Sequence, residues 1–167
     1  MCKNNSNFNF KVNIAKLFET SEDIVELAES KFEETGLAQI GINLRIMSVP
    51  KAKDILKISR ANATTEYLTN SDDLITLFVF EQAFDRLSDE QKNLLMEGVF
   101  SNVAYDTEKD KLIVDNSRYG EFIRMRRKYE NYGNVIEVST MVIEEIAEEE
   151  KRRKEEEKLA KKELKNK

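Results

Sequence analysis

Histidine is absent from this sequence of 167 residues, and cysteine occurs once, as Cys2. Without histidine the chain cannot build a Ser-His-Asp or Cys-His catalytic unit. It also offers no imidazole ligand to zinc, copper or iron. A single cysteine makes no internal disulfide, which favours a reducing compartment. We interpret Cys2 as an exposed thiol without a specific role.

Proline and glycine are also scarce, with one and five residues respectively, which favours long uninterrupted elements. No apolar run reaches the roughly 18 residues of a transmembrane helix. The N-terminal sequence MCKNNSNFNF lacks the apolar core of a secretory signal. We therefore expect no membrane partner and no secretion by signal peptide. The net charge of −5 makes nucleic acid an unfavourable partner.

The N-terminal part alternates between strand and helix patterns. Apolar and polar residues alternate in 8–14 and again in 39–47, which predicts two half-buried strands. Between them, a helix is predicted to begin at Ser21 and to end at Gly36, a favourable C-terminal residue.

The middle of the chain contains the most apolar strand. The pattern of 53–68 leaves strand and short helix open, and its end has the composition of a strand. The run 74–80 is apolar throughout, which predicts a central strand.

A capping box marks the next helix, because Ser88 is followed three positions later by Gln91. This helix is predicted to continue to about Tyr105. A polar turn at 106–110 and a short strand at 111–114 follow.

From Ser117 the pattern is helical again, with a break near Gly133. We predict an α+β domain at 1–133, a small mixed sheet packed by helices. A long protruding helix at 134–167 follows it, charged and solvated beyond 147. An apolar stripe early in this helix could pack on the domain or support an oligomer through 135–146. The stripe consists of Val135, Val138, Val142 and Ile146.

The order of elements and the segment after 74–80 carry a family resemblance. Leu87 to Gln91 reads LSDEQ, Leu94-Leu95 follows, and Tyr105-Asp106 precedes the polar turn. In this frame the chain resembles the metallopeptidase domain often encoded by phages, a small zincin-like domain akin to SprT-like peptidases. The resemblance covers roughly residues 20–130 and implies a zincin-like fold.

The zinc-binding residues of that family are missing. The family's H-E-x-x-H places two histidines at i and i+4 on one helix face, with a glutamate that activates the zinc-bound water. In the matching frame this chain has Gly98, Val99 and Asn102. The third ligand, expected near 117–121, cannot be a histidine either. The resemblance therefore implies a degenerate metal site without catalytic residues, metal or cofactor. We interpret Gly98 as a close-packing residue against the central strand, and Asn102 as a hydrogen-bonded helix residue.

Two polar groups have other interpretations. The acidic residues of 106–110 alternate as in a calcium loop, but the sixth and twelfth positions lack the Gly and Glu of an EF-hand, which favours a solvated turn. A basic cluster with interleaved aromatic residues is a candidate contact for nucleic acid or a protein partner, but the acidic total charge favours an ordinary amphipathic helix with partly buried aromatic residues. The cluster consists of Arg118, Arg124, Arg126, Arg127 and Lys128.

These observations predict a non-enzymatic phage-type protein. We expect a degenerate metallopeptidase-like domain that binds another protein, or a virion or assembly component, in the host cytoplasm or the virion. The alternatives are a divalent-metal enzyme that uses carboxylates and a nucleic-acid-associated phage protein.

Overall fold

The computed structural model describes residues 19–70 and 73–165. The strand predicted at 8–14 and Cys2 lie outside the described residues. The described part confirms the predicted α+β class, with small sheets packed by helices and a long C-terminal helix. The helices are α1 (Glu22–Glu34), α2 (Ala63–Thr69), α3 (Glu81–Phe84), α4 (Asp89–Phe100), α5 (Arg118–Lys128) and α6 (Tyr132–Lys165). The strands are β1 (Asn43–Ser48), β2 (Leu56–Arg60), β3 (Leu74–Val79), β4 (Val103–Asp106) and β5 (Lys111–Val114).

Strand β3 is the centre of a three-stranded mixed sheet with the order β1-β3-β2. It runs parallel to β1, with Asn43 opposite Leu74, and antiparallel to β2, with Ile58 opposite Leu77. Five of its six residues are buried, as expected for an apolar strand covered on both faces. The predicted central strand is therefore confirmed.

Strand β1 begins later than predicted. Residues Ala38–Ile40 form a 3-10 turn, and Gly41 follows with a φ of 88°, a left-handed conformation that glycine adopts without steric cost. The strand then runs from Asn43 instead of 39, and Ile40 is 54% exposed instead of lying on the buried face. The alternation of isoleucines continues through the turn, which is why the pattern extended the strand too far.

The ambiguous segment 53–68 contains both of its alternatives in succession. Leu56–Arg60 is strand β2, whereas the part with strand-like composition is helix α2. Asn62 begins this helix by accepting a hydrogen bond from the Thr65 backbone N–H, at 2.8 Å. The cap stabilises a helix that the β-branched residues alone do not favour.

The capping box at the start of α4 is confirmed in both directions. The Ser88 side chain accepts from the Gln91 backbone N–H, and the Gln91 side chain accepts from the Ser88 backbone N–H. The helix ends at Phe100, however, and not near Tyr105, because the chain turns at 101–102 and continues as β4. Strand β4 pairs with β5 around the predicted polar turn at 106–110.

Helix α4 lies at the centre of the helical layer. It contacts α1, β2, α5 and α6. Its apolar side chains are accordingly buried on more than one side of the helix. They are Leu94, Leu95, Met96, Val99 and Phe100.

The break between α5 and α6 lies at 129–131 and not at Gly133. Tyr129 has extended backbone angles, and Tyr132 is already the first residue of α6. Along α6, Val135, Val142 and Ile146 are buried within their own chain, so this part of the stripe is not available to a second chain. Residues 151–162 are exposed, as predicted for a solvated tail. Among the described residues, no helix is both long and apolar enough for a membrane span.

Candidate binding cavity

A cavity of about 380 Å³ lies beside α4. The segment 53–58, which leads into and includes most of β2, forms one wall. The first turns of α5 and the first third of α6 form the others. Its volume is at the small end of the range that ligand pockets occupy, roughly 300–1,000 Å³. Apolar side chains supply most of the lining. Among them are Leu56, Leu95, Val99, Phe122, Ile136 and Ile143.

A hydrogen-bonded carboxylate forms the polar part of the lining. Glu121 on α5 accepts from Asn102 Nδ2 and from the Tyr132 hydroxyl, each at 2.6 Å. Tyr132 is fully buried, and burial raises its pKa strongly, with a further increase from the nearby Glu121 charge. The hydroxyl therefore stays protonated and acts as a donor to Glu121.

Asn102 connects this carboxylate to a basic side chain. Arg124 Nη2 donates to Asn102 Oδ1 at 2.5 Å, and Arg124 Nη1 lies 3.1 Å from Asp115 Oδ2. The Asn102 backbone carbonyl accepts from the Asp115 N–H at 2.8 Å. These contacts hold the buried Asn102 just after the end of α4, so it is hydrogen-bonded as predicted, but it is not a helix residue.

Gly98 is required by close packing, but not against the central strand. A Cβ atom at this position would overlap the Tyr132 hydroxyl and would lie 3.0 Å from its Cζ and 3.1 Å from Glu121 Oε1. The partner of Gly98 is therefore the first residue of α6 together with α5. This corrects the interpretation drawn from the sequence.

The structure brings the predicted metal-site positions together. Val99 and Asn102 line the cavity. Glu121, which belongs to the segment expected to hold a third ligand, accepts a hydrogen bond from Asn102. Gly98 packs against the hydroxyl of Tyr132, which in turn donates to Glu121. These residues do not fit zinc. Gly98 and Val99 offer no ligand atom, and the Tyr132 hydroxyl occupies the space that any side chain at 98 would enter.

Among the described residues, no group of three or more His, Cys, Asp or Glu side chains is placed to hold a metal ion. At the turn 106–110, Asp106 instead accepts from the backbone N–H groups of Glu108 and Lys109, both at 3.1 Å. The Tyr105 hydroxyl donates to Asp110. The acidic side chains thus stabilise the turn, as the solvated-turn interpretation predicts.

The predicted basic cluster is not a free positive surface. Arg118 is paired with Asp54, Arg124 with Asp115, and Lys128 with Glu97. Arg126 donates to the Glu130 carbonyl. Arg127 is exposed, and within residues 19–70 and 73–165 no ionic partner of it is recorded. Ion pairs with the chain's own carboxylates reduce the attraction that the cluster could exert on phosphates.

Tyr132 is the site residue that sequence reasoning missed. Its burial and its contact with Glu121 depend on the packing of α6 on α4 and α5, which no local pattern encodes. The available signal is Gly98 itself. A glycine in the middle of a helix costs about 1 kcal/mol relative to alanine, which indicates that packing or function requires it there.

Comparison with known proteins finds no matching family model, no matching curated protein and no matching solved structure.

Proposed function

We propose that this chain is a non-enzymatic, zinc-less relative of the phage-type metallopeptidase domain, which binds another protein and serves as a virion or assembly component. Such a role would be carried out in the host cytoplasm or in the virion. The resemblance in the segment 87–106 supports the family assignment. The cavity beside α4 supports the binding role.

The cavity carries the proposal because of where it lies. Its lining includes Val99 and Asn102, two of the three positions at which the family would have its metal ligands and its general base, and it includes Glu121 from the expected third-ligand segment. A largely apolar pocket with a few convergent polar groups is the usual form of a binding site. An apolar lining without a histidine suits recognition of a partner's side chain better than hydrolysis.

The same geometry accounts for the loss of chemistry. Zinc peptidases activate water through a metal held by three protein ligands and an adjacent glutamate. Here the first ligand position is closed by Tyr132, and the glutamate position is an apolar valine. We therefore propose that the scaffold has been retained for binding after catalysis was lost.

Two assays on the purified protein test the absence of catalysis. We expect elemental analysis to find no stoichiometric zinc, and we expect no cleavage of denatured casein with or without a chelator. About one tightly held zinc per chain, or cleavage that a chelator abolishes, would refute the proposal. Co-purification from cells that naturally produce the protein, followed by mass spectrometry, would identify the partner.

A further inference from the structure

Two hydroxyl groups on α6 contribute hydrogen-bond acceptors to the lining of the cavity. The hydroxyl of Ser139 donates to the Val135 carbonyl at 2.6 Å, and the hydroxyl of Thr140 donates to the Ile136 carbonyl at 3.0 Å. Both residues line the cavity. Since their protons are already used within α6, the two oxygens are left as acceptors for a ligand.

Glu121 adds a charged acceptor with unused capacity. Each of its oxygens accepts one hydrogen bond, from Asn102 or from Tyr132, whereas an ionised carboxylate has about four lone-pair sites. Glu121 forms no salt bridge with a Lys or Arg side chain of the described residues. A donor that enters the cavity can therefore bind Glu121 without displacing its present partners.

The charges around Asn102 do not balance. One guanidinium, that of Arg124, lies near two carboxylates. It contacts the carboxylate of Asp115 directly, whereas the Asn102 side chain lies between it and the carboxylate of Glu121. The pair of Arg118 with Asp54 at the cavity wall is neutral by itself. A single negative charge is thus left uncompensated at the polar part of the cavity.

Three further charged residues line the cavity, but they are exposed. Lys53 and Lys57 are positive and Glu144 is negative, and water screens all of them. Glu121 is half-buried, and a charge interacts more strongly where the surroundings are less polar. The half-buried carboxylate therefore decides which charge the cavity prefers.

We infer that the cavity accepts a basic side chain, lysine or arginine, from a protein partner. The aliphatic stem lies against Val99, Phe122 and Ile143, and the cationic head donates to Glu121 and to the hydroxyl oxygens on α6. Long basic side chains combine these two properties, an apolar stem and a charged end. This inference rests on the proposed binding role of the cavity and specifies the chemistry of the residue that enters it.

The test uses small probes that reproduce the side-chain ends. n-Butylammonium and n-propylguanidinium are titrated into the full-length protein, with n-butanol as the neutral control and butyrate as the anionic control. Binding is followed by backbone amide NMR. We expect the two cations to shift the amide signals of Val99 and Asn102 with millimolar affinity, and we expect the controls to bind at least tenfold more weakly.

Variants of the chain locate the binding. Glu121→Gln should weaken the binding of both cations by about tenfold or more, since a hydrogen bond to a charged acceptor is lost. The matched control Glu144→Gln removes an exposed carboxylate of the same cavity and should change affinity less than twofold. Ile143→Phe keeps every charge and fills the cavity, and it should abolish binding while the spectrum stays that of a folded protein. It serves as the decisive variant if Glu121→Gln does not fold.

The outcomes separate this inference from the proposed function. If butanol or butyrate binds as tightly as the cations and Ile143→Phe abolishes that binding, the cavity is a binding site but the inference of a basic anchor is wrong. If no probe binds, both the inference and the binding role of the cavity fail. If light scattering shows a dimer that butylammonium dissociates, the occupant is a second copy of this chain and not a separate partner, which also overturns the inference.

Discussion

Gly98 and Tyr132 pack closely against each other, although they lie on different helices. The hydroxyl of Tyr132 fills the space beside the Gly98 Cα and reaches Glu121 from there. Any larger residue at 98 must displace a fully buried tyrosine and its hydrogen bond. The packing around Tyr132 therefore explains by itself why position 98 carries no side chain.

A double-mutant cycle tests this contact. Gly98→Ala should destabilise the protein by about 2 kcal/mol, because overpacking costs roughly 1–3 kcal/mol and the bond to Glu121 weakens, against a helix-propensity gain of about 1 kcal/mol. In a Tyr132→Phe background the same substitution should cost at least about 1 kcal/mol less, because the overlapping hydroxyl is gone. Urea denaturation measures all of these free energies of unfolding.

The control is another helical glycine. At Gly133 an added Cβ would meet its nearest atoms at 3.8 and 3.9 Å, which is ordinary contact. Gly133→Ala should therefore stabilise the protein, by about 0.5–1 kcal/mol. Equal effects of alanine at positions 98 and 133 would contradict the packing role assigned to Tyr132.

Glu97 provides a second prediction for single residues, one that depends on pH. Burial raises its pKa, but hydrogen bonds from Lys128 and Tyr129 outweigh burial and lower the pKa below its usual value. A lowered folded-state pKa means that the charged form stabilises the fold above the unfolded-state pKa. This stability is lost as the pH falls from the usual range of a glutamate through the lower folded-state pKa.

We expect Glu97→Gln to cost about 1 kcal/mol at pH 7, a modest value because Lys128 is 63% exposed and water screens the pair. The difference from the unmodified protein should shrink toward pH 3. Glu156→Gln, an exposed change in the tail, should have no measurable effect at either pH. A cost of Glu97→Gln that stays constant from pH 7 to pH 3 would be inconsistent with this role.

At the scale of elements, α6 has two parts with different roles. Its 34 residues make a helix about 51 Å long. The first part packs on the domain through its buried stripe. Beyond it, Glu149 pairs with Arg86, and Glu150 pairs with Lys51. Among the described residues, these are the ion pairs farthest along α6 that join this helix to the rest of the chain.

Truncations separate the two parts. Ending the chain after Lys151 should change the thermal midpoint by no more than about 1 °C, because the removed residues bury almost no surface. Ending it after Ala147 also removes the pairs of Glu149 with Arg86 and of Glu150 with Lys51, and the midpoint should fall only slightly further, because water screens such exposed pairs. Removal of 135–147 as well should destabilise or aggregate the domain, because buried apolar side chains are lost.

The truncations also bear on partner binding. If the tail is a binding arm, the chain that ends after Lys151 should stay folded and lose its partner. A large drop in thermal midpoint for this chain would show that the tail packs intimately on the domain, and the description of a solvated tail would be wrong.

Elements with strong local signals were predictable, and those ended by tertiary contacts were not. The apolar run of β3 and the capping box of α4 each contain their own signal. The end of α4 does not, because the chain leaves the helix where Asn102 bonds to Glu121 and Arg124, residues far along the sequence. The predicted start of β1 is too early, because the apolar alternation of the sequence continues through the turn at Gly41, where the strand has not yet begun.

The same division applies to the candidate site. A family frame predicted from the sequence singles out 98, 99, 102 and the segment 117–121, and the fold brings Glu121 of that segment next to Asn102 and Gly98. The cavity itself could not be predicted, because its walls come from four elements. Nor could the role of Tyr132, since the burial of that residue follows from helix packing and not from its neighbours in the chain.

At the scale of the whole molecule, the described residues form an α+β domain with a cavity beside α4 and a long C-terminal helix that is exposed at residues 151–162. The central claim is that the cavity beside α4 binds a protein partner and performs no hydrolysis. The elements that form it also contribute side chains to the hydrophobic core, so packing holds the site together.

Quantitative co-purification with a cavity-filling variant tests this claim most directly. The partner identified with the unmodified protein is measured by mass spectrometry against equal amounts of Ile143→Phe and of Glu145→Gln, an exposed change on the same helix. The account predicts that Ile143→Phe keeps its fold and retains at least about tenfold less of the partner. The larger side chain fills the cavity, and overpacking of this kind costs roughly 1–3 kcal/mol. Glu145→Gln should retain the partner. Full retention of the partner by a folded Ile143→Phe protein would show that the cavity is not the binding site and would contradict the account.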